Sequence, residues 1–199
     1  GCRVPVEIEP VVPQPSEIVR EIIHMHRIYN NLWNKLYVRD LFEDGLRLDE
    51  SVHIGEDALL NLQLYLRAKN IAHISDHTYV YRVHSSSAMA NMGLYSQAHQ
   101  PMLQSMSAIL LREGVKELYF RDFLQSCVWV DEKETGIMAC MKRFNAYIRP
   151  LVLDGVQEDR VPQWDLRIYR AVVKGYFPQI YILLRIREKL TGRKWGIRR

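Results

Sequence analysis

The hydrophobic period of the chain changes once, near residue 91, and that change limits the folds open to it. After it, apolar residues recur every three or four positions, the period of a helix with one buried face. The spacing predicts helices over roughly 94–113, 116–131 and 135–149, a turn at Asp154-Gly155, and two further helices near 163–174 and 178–190. Before it the pattern is mixed. The expected organisation is therefore a mixed α/β part over residues 1–91 and an all-helical part over 92–199.

Within the first part, residues 3–12 alternate apolar and polar positions, as a half-buried strand does, with two prolines that assign it to a sheet edge or an extended arm. Ser16 is placed to cap a helix from Glu17 to about Asn31, with Ile18, Ile22, Ile23, Met25 and Ile28 as its apolar stripe. Residues 32–38 read as a short strand or tight connection, and 39–54 as a helical turn, a turn at Gly45 and an extended stretch. Glu56 to Lys69 reads as a helix with Leu59, Leu62 and Leu66 on one side. The runs 71–75 and 78–83 are rich in β-formers and read as neighbouring strands, before a Ser-rich loop over 84–90.

Charge divides as unevenly as periodicity. The net charge is +4, yet the first 166 residues hold 17 basic and 22 acidic residues, whereas from Arg167 onward ten basic residues face one acid, Glu188. Residues 176–199 combine Tyr176, Phe177, Ile180, Tyr181, Leu183, Leu184 and Trp195 with seven Lys or Arg. Such a segment suits an anionic membrane surface, or a terminal helix with its charges in water. No recognisable nucleic-acid motif accompanies it, so no nucleic-acid partner is expected. Cys2, Cys127 and Cys140 are odd in number and lack metal-ligand spacing, which fits core packing in a reducing compartment. A cytoplasmic protein, peripheral on the inner face of the membrane, is the corresponding expectation.

Three features carry chemistry. Asp57 and Glu56 follow Gly55 at the start of a helix, where partial positive charge favours ionised carboxylates by ~0.3–1 kcal/mol. A carboxylate there suits a general base, and equally suits helix stability alone. Strand alternation would point Arg82 and His84 to one side, where a guanidinium forks onto phosphate oxygens and an imidazole donates to phosphate or ligates a metal. Ser87 follows in the loop with a hydroxyl to offer.

The ordered set Trp33-Asn34-Lys35-Leu36-Tyr37, Gly55-Glu56-Asp57 and Tyr81-Arg82-Val83-His84, with serines beyond it, resembles the acceptor-side half of a family 2 glycosyltransferase of the GT-A fold. The resemblance covers about residues 17–90. It implies an inverting hexosyl or related transfer from a nucleotide-sugar to a glycan acceptor, in polysaccharide or surface-glycan synthesis. Asp57 would be the catalytic base and Glu56 would orient the site. Trp33, Asn34 and Lys35 would form the sugar-binding floor, and Arg82, His84 and Ser87 would meet the leaving diphosphate.

The sequence departs from that family by lacking Asp-X-Asp and any Gly-rich strand-to-helix fingerprint. Magnesium or manganese is accordingly expected for a longer enzyme and not for this chain. Gly1 in place of Met reads as a processed or recombinant end, and the chain as the acceptor part of an enzyme that transfers no sugar alone. Apolar surface left bare by a missing half would favour a homo-oligomer. Two alternatives remain open: a non-catalytic helical module that docks on a partner or a membrane, and a basic helical nucleic-acid binder.

Overall fold

A computed structural model describes residues 14–25, 30–52, 54–72, 74, 79–80, 92–129 and 137–191. Helix α1 spans Pro15–Ile23. Its start lies one residue before Ser16, because Pro15 has the helical φ built in and no N–H to satisfy, while Glu17 accepts the Gln14 N–H at 3.1 Å. The helix stops well short of Asn31. Met25 takes φ +58°, a left-handed exit from the last turn.

Beyond a 3-10 segment at Arg39–Gly45, helix α2 spans Glu56–Arg67 and α3 spans Met92–Arg112. Helix α4 covers Phe120–Trp129 and α5 covers Ile137–Arg143, which continues through a π turn at Phe144–Ile148 into α6, Arg149–Leu153. Helix α7 is Leu166–Val173 and α8 is Phe177–Thr191. The helices expected after residue 91 therefore appear where the 3.6-residue period places them, with Pro150 at the π-to-α junction.

The mixed α/β class and the GT-A core are overturned. The described part is 65% helix and 0% strand, with no sheet. The β-rich runs illustrate the physical reason. Propensity for extended backbone becomes a strand only when a neighbour completes the hydrogen-bond ladder, and an isolated pair is marginal even then. Ile71, Ala72, Ile74, Tyr79 and Val80 lie in irregular backbone, and Val80 is 91% exposed, far from any packed sheet face. The extended reading of 32–38 likewise resolves to a turn and a connection without a ladder. Residues 3–12 and 81–90 lie outside the described residues.

One hydrophobic cluster joins the two segments. Ile18, Val19, Ile22 and Ile23 of α1 meet Leu59 and Leu62 of α2, and the same cluster runs through Met102, Phe120, Phe123, Phe144 and Val172 to Leu184. Polar ties fix the relative placement of helices. His24 Nε2 and Asp122 Oδ1 are 3.1 Å apart, with Arg20 Nε 3.6 Å from Asp122 Oδ2, so the end of α1 is clipped to the start of α4. Lys116 is fully buried and donates to the carbonyls of Leu151 at 3.0 Å and Asp154 at 2.6 Å, satisfying acceptors at the end of α6. Burial holds its ammonium below the ordinary lysine range.

Candidate functional site

The site is built on α2, whose first turn depends on Gly55. That residue has φ +93°, and a Cβ on it would stand 2.5 Å from Met102 Sδ. Glycine is thus demanded by the backbone conformation, while the Met102 side chain of α3 would have to move for any larger residue. The Gly-Glu-Asp sequence is a structural unit before it is a chemical one.

Asp57 and Asn61, one helical turn apart, face the turn and connection over residues 30–37. The Asp57 carboxylate accepts the Leu32 N–H and feels the charge of Lys35. Lys35 Nζ donates to the Asn31 carbonyl and to Asn34 Oδ1, the latter at 2.7 Å. Fully buried Asn61 donates to the Asn30 carbonyl at 2.8 Å and accepts the Tyr37 hydroxyl at 2.6 Å. The Trp-Asn-Lys-Leu-Tyr block is therefore pinned to α2 at two successive turns.

Burial sets the electrostatics. The Asp57 carboxyl is pushed above its usual range by loss of water, opposed by the Leu32 hydrogen bond and the Lys35 charge. Desolvation outweighs the hydrogen bond and the neighbouring charge together. The Lys35 ammonium is lowered to about 8 by burial, with Asp57 acting against that shift. The Tyr37 phenol is raised, first by burial and then by the neighbouring Tyr65 and Asp57. A half-buried acid with increased proton affinity beside a softened ammonium is an arrangement that can accept a proton from a bound hydroxyl.

An aromatic shelf rises from the same turn. Trp33 is 40% exposed and stacks on Tyr79, with ring centroids 4.3 Å apart and planes 24° from parallel. Because Trp33 directly follows Leu32, the stack and the carboxylate share one short piece of backbone.

The structure thus sets Asp57 within electrostatic reach of Lys35, whose ammonium bonds Asn34, with Trp33 in the same turn as these two; Glu56 is the first residue of α2. Arg82, His84 and Ser87 lie outside the described residues. Sequence reasoning missed Asn61 and Tyr79. A lone asparagine in an apolar helical stretch, four residues after Asp57, was the available signal for the first; Tyr79 stood out as an aromatic in a β-rich run, but nothing local paired it with Trp33. Among the described residues no three His, Cys, Asp or Glu side chains converge as a metal site. No helix among them is long and apolar enough to cross a membrane. No family model matches the chain, and no curated protein or solved structure matches it either.

Proposed function

We propose that this chain provides the acceptor side of an inverting glycosyl transfer, with Asp57 as the base. The observation that carries the reading is the Trp33–Tyr79 shelf on the turn whose Leu32 N–H holds Asp57. A pyranose covers an aromatic face with its C–H side and turns its hydroxyls outward, toward such a carboxylate.

In this reading the Asp57 carboxylate removes the proton from an acceptor hydroxyl. The oxygen forms a bond to the anomeric carbon of a nucleotide-sugar from the face opposite the diphosphate. The bond from that carbon to the diphosphate breaks, and the diphosphate leaves with the electron pair. Burial supports the role by raising the proton affinity of Asp57, and Lys35 balances its charge. Asn34 positions Lys35 through the 2.7 Å hydrogen bond. The sequence has no Asp-X-Asp, and no step is routed through a metal.

Saturation-transfer NMR of the 199-residue chain with a panel of hexose oligosaccharides tests the reading. Binding is expected for at least one of them, lost in Trp33→Ala and kept in Asp57→Asn. Absence of binding across the panel, or binding indifferent to Trp33→Ala, would sink it. A radiolabelled transfer assay is expected to give no turnover by the chain alone, and robust turnover would overturn that expectation.

A further inference from the structure

A concave surface lies between α7 and α8, far along the chain from the Asp57 turn. Helix α7 buries Ile168, Tyr169, Ala171 and Val172, which leaves Arg167, Arg170 and Lys174 exposed on one outer face at helical spacing. These cations line a groove of about 440 Å³ together with Gln163, Tyr176 and Gln179. Arg170 Nε is held by Glu158 at 2.9 Å. Glu158 and Asp159 line the adjoining hollow and not this groove, so the Arg167–Lys174 side keeps a positive field.

The rim is apolar in a way a simple anion site does not require. Helix α8 buries Phe177, Ile180 and Leu184, and its opposite face continues from Gln179 to Ile182 and Ile186, which are 56% and 50% exposed. Trp164, next to Gln163, is 70% exposed. Basic side chains flanked by exposed aliphatic and indole groups match the composition of a bilayer interface, where phosphates lie just above acyl chains.

We propose that the α7–α8 face docks on an anionic bilayer, with a lipid phosphate seated in the groove against Arg167 and Lys174 and with Ile182, Ile186 and Trp164 entering the headgroup boundary. A free phosphate ligand would use the cations and leave the apolar rim in water. This docking is independent of the glycosyl-transfer reading, since none of its residues belongs to the Asp57 turn.

Vesicle pelleting tests it, with phosphatidylcholine alone and phosphatidylcholine mixed with phosphatidylglycerol, and with inorganic pyrophosphate titrated separately. The intact chain is expected to bind the mixed vesicles in a salt-sensitive manner. Arg167→Gln combined with Lys174→Gln weakens partitioning by about fivefold per charge, and Ile182→Ser combined with Ile186→Ser weakens it as well. All four positions are exposed, and circular dichroism verifies that the fold persists. Binding of mixed vesicles that ignores Arg167→Gln/Lys174→Gln overturns the groove, because the basic residues beyond Thr191 would then account for it. Equal binding to phosphatidylcholine alone, or pyrophosphate binding without vesicle binding, overturns the bilayer as occupant.

Discussion

The Tyr37 hydroxyl donates to Asn61 Oδ1 at 2.6 Å, across 24 positions of sequence. Asn61 in turn donates to the Asn30 carbonyl at 2.8 Å, so one fully buried carboxamide ties both ends of the 30–37 segment to α2. The placement of Trp33, Asn34 and Lys35 above Asp57 depends on that tie.

Tyr37→Phe removes the hydroxyl and leaves Asn61 Oδ1 without its donor in a buried setting. A loss of about 1–2 kcal/mol is expected, read from urea unfolding. A double-mutant cycle with Asn61→Ala should give a coupling of at least about 0.5 kcal/mol. Additive losses would mean that the hydrogen bond contributes nothing.

The charge of Asp57 acts against the burial that lowers Lys35 to about 8. Asp57→Asn removes it, so the Lys35 ammonium should titrate below about 8. An NMR titration of Lys35 Cε, assigned with Lys35→Arg, reads this directly. An unchanged midpoint would show that the two groups do not feel each other.

Lys35 also gives stability a pH dependence with a definite sign. Its folded value of about 8 lies below the unfolded 10.5, so between these limits the unfolded chain binds more protons. Stability should therefore rise with pH from about 8 toward 10, below the range where the raised phenols begin to act in the opposite sense. Lys35→Met should flatten that rise in denaturant melts. A slope identical to that of the wild-type chain would overturn the assignment.

Gly55→Ala places a Cβ against Met102 Sδ at a backbone angle of φ +93°. The thioether can swing aside, but the backbone cannot relax without moving the start of α2. Destabilisation of about 1–2 kcal/mol is expected, with the Asp57-dependent shift of Lys35 reduced in the same variant. A neutral substitution would mean that the turn adapts freely.

What the sequence made legible followed from local rules. The 3.6-residue period located the helices after residue 91, and Gly55-Glu56-Asp57 announced the start of α2 through a glycine turn and two acids. Lys35 was expected on a sugar-binding floor, and the structure places it within electrostatic reach of Asp57. Two failures have one cause. The helix expected to reach Asn31 ended at Ile23, with Met25 left-handed just beyond it, and Ile71, Ala72, Ile74, Tyr79 and Val80 formed no ladder. Both outcomes depend on distant partners, which a window of sequence does not contain. Tyr79 joined Trp33 for the same reason: 46 positions separate them, and only the folded chain brings the rings together.

Lys116 carries a consequence for covalent chemistry. Its amine is engaged by two carbonyls and shut away from solvent, so an acylating reagent can reach it only when the α6 end of the bundle opens. The rate at which that one side chain acquires an acetyl group, compared with any surface lysine, becomes a clock for how often the interior comes apart.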